Sequence, residues 1–226
     1  GAASSSELAG FPHHSLDTYL HKLVKAGHRV AICDQLEDPK SVKGIVKRGV
    51  TDMLTPGIAT NDKLLAHKEN NFLAAIYLEN ETGALAFLDI TTGEFLTAEG
   101  NFEYLDKLLQ SLQPAEILFS KKDQSIFKEH FGQGFYSYGL DSWIFDAPYA
   151  NDLLLKQFQT QTLKGFGMEG QNKAIIAAGA ILHYLKETEH PHLQHIHSIS
   201  PIQREDILWM DKFTIRNLEL IGNGAD

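Results

Sequence analysis

Apolar residues return at helical spacing at Leu16, Tyr19, Leu20, Leu23 and Val24, which predicts a helix with Ser15 as its N-cap and Gly27 just past its end. Residues 29–33 read as a strand, broken by Asp38-Pro39. Residues 50–54 read as a second short strand, closed by the turn Thr55-Pro56-Gly57. From 60 to 71 the chain is polar and turn-rich, and a domain boundary is expected there.

The pattern then changes. Residues 72–78, 84–90 and 94–98 are strand-like runs separated by Glu79-Asn80-Glu81-Thr82-Gly83 and by Thr91-Thr92-Gly93, compositions that imply two successive hairpins. Phe102, Leu105, Leu108, Leu109 and Leu112 follow at helical spacing behind the N-cap candidate Asn101, and Pro114 ends that helix. Residues 117–119 form a further apolar strand. Helices are predicted at 148–158, behind Asp146 as cap, and at 172–187. The sum is an α/β domain covered by helices, expected to fold by itself over 72–197 with Ile76, Leu85, Phe87, Leu105, Leu109, Ile117 and Phe119 in one core. From residue 198 onward, with Pro201 near the start and an apolar stretch at 207–221, the chain reads as the opening of something further. There Asp211 is expected to cap a helix carrying Phe213, Leu218 and Ile221 near one face.

A chain of 226 residues, 43% hydrophobic and 22% charged, has room for one large domain or two small ones. Cys33 is its only cysteine, so no internal disulfide can form and the cytoplasm is the default expectation. The longest apolar run, 174–185, is interrupted by Gly179 and His183 and falls short of the roughly 20 residues a bilayer requires. Residues 1–6 are small and polar and lack an initiator Met, which suggests natural sequence upstream. The net charge of −9 argues against a free-standing duplex-DNA binder. The charge is uneven, however: residues 1–60 hold seven basic and six acidic side chains, so the remainder carries −10. A near-neutral segment with a basic stripe joined to an acidic body reads as two modules with different partners.

The basic stripe comprises Lys22, Lys25, Arg29, Lys40, Lys43, Lys47 and Arg48. It can track a phosphate backbone or be a solvated face, and charge alone does not separate the two. No glycine-rich phosphate loop precedes Lys40-Ser41, and one cysteine cannot build a structural zinc site. His183, His190, His192, His195 and His197 crowd one region. In an extended segment His195 and His197 would share a face that could grip a transition metal, although no carboxylate or cysteine recurs beside them. Asp89 ends an apolar strand just before a hairpin, an arrangement that resembles the first hairpin of the ribonuclease H fold, where an aspartate helps hold two catalytic Mg²⁺ ions. Glu116 and Asp141 are the nearest further carboxylates. A metal-dependent nuclease is therefore the alternative reading, against an Asp89 that caps its own turn.

Three stretches carry a wider resemblance. Gly10-Phe11-Pro12-His13-His14, with residues 22–39 and Thr55-Pro56-Gly57, is similar to the second half of the mismatch-binding domain of the MutS family. Leu88-Asp89-Ile90-Thr91-Thr92-Gly93-Glu94-Phe95 and Gly165-Phe166-Gly167 resemble the family's ribonuclease H-like connector domain. Residues 210–220 are similar to the start of its lever region. The resemblance implies an α/β chain: the end of a truncated mixed α/β mismatch-binding domain over 1–60, the connector over 61–197, and the start of a helical lever domain over 198–226. It further implies a full-length protein that recognises mismatched duplex DNA, initiates repair and engages MutL. The connector would link the DNA-reading domain to the rest and offer surface to MutL. ATP and Mg²⁺ would act in a domain beyond this chain, and a homodimer would form through C-terminal parts not present here. No catalytic, cofactor-binding or metal residue is expected within it, nor any membrane contact. The family's mismatch-reading Phe-x-Glu does not occur in residues 1–60. The residues expected on the DNA backbone are Lys22, Lys25, Arg29, Lys43, Lys47 and Arg48.

Overall fold

The computed structural model describes residues 10–38, 41, 44–58, 71–132, 134–188, 190 and 193–202. A 3-10 turn at His13–Ser15 leads into α1 (Leu16–Lys25), whose Leu20 and Val24 are buried with Leu54. Ser15 occupies the N-cap position without a side-chain cap bond. Gly27, at φ +86°, ends the helix in a conformation that costs glycine little. β1 (Val30–Gln35) pairs antiparallel with β2 (Arg48–Leu54) as a two-stranded sheet beside α1.

The second sheet has six strands: β3 (Phe72–Glu79), β4 (Thr82–Asp89), β5 (Phe95–Asn101), β6 (Glu116–Ser120), β7 (Ser137–Leu140) and β8 (Ser200–Pro201). Their spatial order is β7-β6-β3-β4-β5-β8. β3, β4 and β5 form an antiparallel meander, β6 runs parallel to β3, and β7 runs parallel to β6. This is the ribonuclease H-like arrangement. The first hairpin is tighter than its composition suggests, because Asn80 at φ +54° accepts the left-handed conformation and both strands continue up to the turn.

α2 (Phe102–Leu112) is capped by Asn101, whose side chain accepts from the Tyr104 amide at 3.0 Å. It covers one face of the sheet, and there Ile76, Leu85, Phe87, Leu105, Leu109, Ile117 and Phe119 form one core. The opposite face is covered by α5 (Asn172–Glu187), backed by α4 (Ala147–Gln157) behind its cap Asp146. Gly179 of α5 lets the two helices touch: a Cβ there would stand 2.4 Å from the Cβ of Ala150. α3 (Gln124–His130) and β7 carry weak patterns. The first buries only Phe127 and the second only Leu140, so periodicity had nothing to register.

Two features depart from the reading of 72–197 as a closed unit. Ile58 is fully buried in the core beneath α5, alongside Leu73. Ser200–Pro201 adds a short parallel strand to β5, with the Ile202 amide donating to the Thr97 carbonyl at 2.7 Å. The boundary expected near 60–61, and the helix expected from Lys212, lie outside the described residues. Among the described residues no helix is long and apolar enough to cross a membrane.

Candidate functional site

Glu116 opens β6 among apolar neighbours and is only 2% exposed. Strand pairing sets it beside Leu73, which places its side chain on the α5 face. There Tyr184 of α5 donates its hydroxyl to Oε1 at 2.8 Å. The other carboxylate oxygen accepts from the Thr55 hydroxyl and, at 3.1 Å, from the Gly57 amide. Asn71 closes the same turn from outside, donating to the Pro56 carbonyl at 3.1 Å. Gly57 is required by space: a Cβ would stand 2.8 Å from Leu73 Cδ1 and 2.9 Å from Glu116 Cβ. Burial pushes the Tyr184 phenol far above its ordinary value, and the Glu116 charge adds to the effect. The phenol is thus held as a donor.

A second contact lies farther out. The Arg29 guanidinium, just before β1, sits 3.6 Å from the centre of the Tyr138 ring on β7 and 5.4 Å from that of Tyr184. Gly27 stands close against the ring of Tyr136. His190, past the end of α5, places Nε2 3.9 Å from an Asp52 carboxylate oxygen of β2. The N-terminal module is therefore joined to the larger sheet through a buried plug, Thr55 to Ile58, and a ring of more exposed contacts.

The expected backbone-contacting residues divide. Lys22 and Lys25 project from α1, and Lys47 and Arg48 lie exposed at the start of β2. Lys40 and Lys43 lie outside the described residues. Arg29 belongs to the Tyr138 contact as well as to the stripe.

The carboxylates that a nuclease would need do not gather. Asp89 pairs with Phe72 and lies by strand alternation on the α2 face, opposite Glu116. Its carboxylate accepts the Thr91 and Thr92 amides at 2.8 and 3.3 Å, which caps the turn. Asp141 stands beyond β7 at the sheet edge and bonds Lys121 at 2.6 Å. The histidines also disperse. His183 meets the Tyr149 hydroxyl at 2.7 Å, His190 meets the Thr188 carbonyl, and His195 meets the Ile90 carbonyl at 2.6 Å. His197 lines a separate surface depression with Lys156 and Gln157, and His192 is outside the described residues. Among the described residues no group of three or more His, Cys, Asp or Glu could hold a metal.

Residues 71–197 match the sequence family described as MutS domain II, and residues 1–63 match MutS domain I. The chain belongs to the MutS family. It is 57% identical to the DNA mismatch repair protein MutS of Cytophaga hutchinsonii over 98% of its length, and 58% identical to that of Flavobacterium johnsoniae over 97%. The MutS protein of Parabacteroides distasonis is 53% identical over the whole chain. The chain spans about a quarter of the length of these curated relatives, 26% in each case. The matched regions are MutS domains I and II, so Thr55 and Gly57 fall in the first and Glu116, Tyr138 and Tyr184 in the second. The plug therefore joins two MutS domains. The sequence offered Thr55-Pro56-Gly57 as a closing turn and a family spelling, and Glu116 as a further carboxylate for a metal, with nothing to link the two. Tyr184, a phenol between the buried apolar positions Ile181 and Leu185, is the signal in the sequence that a polar partner lies inside.

Proposed function

We propose that the chain joins the DNA-reading domain of a MutS protein to the rest of the molecule, in a protein that recognises mismatched duplex DNA and initiates its repair. The observation that carries this reading is the buried carboxylate of Glu116, enclosed by donors from both matched domains. Drawing the domains apart would take the Thr55 hydroxyl and the Gly57 amide away from the carboxylate and leave it under-bonded in a packed interior, so displacement of one domain is passed to the other. Lys22, Lys25, Lys43, Lys47 and Arg48 give the first domain sequence-independent contact with phosphates. The acidic surface of the connector is offered to MutL. On this reading the chain turns over no substrate itself, and ATP and Mg²⁺ act elsewhere in the full-length protein. Its homodimer forms through other parts, and its setting is cytoplasmic.

The test is replacement. This chain is substituted for the matching quarter of Cytophaga hutchinsonii MutS, and the chimera is expressed in a strain lacking MutS. Restoration of a low mutation frequency is expected, with loss of that restoration in a Glu116→Ala chimera that still folds. A folded chimera that restores nothing, or a Glu116→Ala chimera that restores everything, overturns the proposal.

A further inference from the structure

By sequence Arg29 is one more cation of the phosphate stripe. The geometry points elsewhere. We propose that Arg29 is a positioning residue, which orients the basic stripe on the connector through Tyr138 and makes no phosphate contact of its own. This inference rests on the reading of the stripe as a DNA-backbone surface.

The side chain leaves the chain between Gly27, which stands against the Tyr136 ring, and β1, which pairs with β2. Its planar guanidinium lies over the Tyr138 ring at 3.6 Å, a distance at which a delocalised cation and an aromatic face attract, and one Nη donates to the Met53 sulfur at 3.5 Å. Tyr184 and the Glu116 charge lie behind that ring. Burial pulls the guanidinium down, and the nearby Tyr184, Tyr138 and Glu116 outweigh it, holding Arg29 above its ordinary value. Arg29, Tyr138, Glu187 and Thr188 together line a crevice of about 340 Å³ between the two modules. Lys22 and Lys25 lie instead on α1, and Lys47 and Arg48 lie at the end of the β1–β2 hairpin opposite that of Val30 and Leu54. Glu187 lines the same crevice, and its carboxylate opposes the approach of a phosphate to Arg29 from that side. The same cation against Tyr138 fixes how α1 and β2 are presented.

The experiment has two arms on the full 226-residue chain. In the first, Arg29→Gln, Arg29→Lys and Tyr138→Leu are combined in a double-mutant cycle read by urea unfolding. Arg29→Gln and Arg29→Lys are each expected to raise the unfolded fraction roughly two- to five-fold, the strength of one cation–π contact, and to lose that effect in the Tyr138→Leu background. Lysine keeps the charge but not the planar stack. In the second arm, duplex binding is followed against salt by fluorescence anisotropy. Lys47→Gln should reduce the slope of log K against log salt by about 0.9, the value of one phosphate contact, and Arg29→Gln should leave the slope unchanged. A slope reduced by Arg29→Gln as by Lys47→Gln, or an Arg29 effect indifferent to Tyr138, overturns the assignment. Absence of duplex binding by any variant counts against the phosphate stripe, and the unfolding arm still decides the Tyr138 contact.

Discussion

The hydroxyl of Tyr184 and the carboxylate of Glu116 meet at 2.8 Å across 68 positions of sequence, and the same carboxylate holds Thr55 and Gly57. A buried acid with this many donors is costly to disturb from either side. Glu116→Ala would orphan Thr55 Oγ1, the Gly57 amide and Tyr184 Oη together, a loss of about 3 kcal/mol. Chemical denaturation at neutral pH checks this, and a loss under about 1 kcal/mol would show that water enters and replaces the acid.

The same pair sets an alkaline limit. Because burial raises the folded-state value of Tyr184 above that of the unfolded chain, near 10, the folded protein keeps a proton that the unfolded one gives up. Stability is therefore intact below pH 10 and falls as pH rises past it, by up to about 1.4 kcal/mol per pH unit for this group. Urea midpoints between pH 8 and 11.5 should drop less steeply in Tyr184→Phe than in the parent protein. Tyr77 and Tyr149, also raised by burial, contribute a remaining slope.

His183 sets a limit of the opposite sense. Burial holds its imidazole below the ordinary value, against the weaker pull of Glu187, while Nδ1 faces the Tyr149 hydroxyl. Its contribution is present above pH 6.5 and is lost as pH falls through the depressed folded value. His183→Gln should flatten the decline in stability between pH 6.5 and 5, as followed by thermal unfolding. An unchanged decline would assign it to other groups.

The plug makes the domain seam depend on a few residues. Deleting 1–54 leaves Thr55, Gly57 and Ile58 in place, whereas deleting 1–60 empties the Ile58 site and takes the Thr55 and Gly57 donors from Glu116, leaving it the Tyr184 hydroxyl. The longer deletion should lose about 3 kcal/mol more than the shorter one in the unfolding of the large sheet. Gly57→Ala in the intact chain should cost about 2 kcal/mol, because its Cβ meets Leu73 and Glu116. Equal stability of the two deletions would show that the plug is not part of the larger fold.

DNA binding by the chain is expected to be weak and indifferent to mispairs. Reading a mismatch requires a side chain that enters the stack, and residues 1–60 contain no Phe-x-Glu. The stripe touches phosphates alone, against a body carrying −10. Binding at low salt should vanish near physiological ionic strength and drop about ten-fold or more at low salt in Lys47→Glu/Arg48→Glu. A gel-shift preference for a G·T heteroduplex over its matched control would refute this.

What was legible in the sequence followed from local physics. Apolar runs and turn chemistry marked β3, β4 and β5, side-chain caps marked α2 and α4 at Asn101 and Asp146, and a long, largely apolar run marked α5. The Thr55-Pro56-Gly57, Asp89-Ile90-Thr91-Thr92-Gly93 and Gly165-Phe166-Gly167 spellings carried the family. Elements with a single buried anchor, α3 and β7, left no period to read. The roles of Glu116, Tyr184, Arg29 and Tyr138 needed the tertiary structure. Each depends on partners far away in the chain, and no local spacing states which face of a sheet a carboxylate will reach. As letters in a row Asp89 was the candidate for a metal, and Glu116 one of the nearest carboxylates that could join it. Strand register put them on opposite faces, and backbone amides took one while two domains closed around the other.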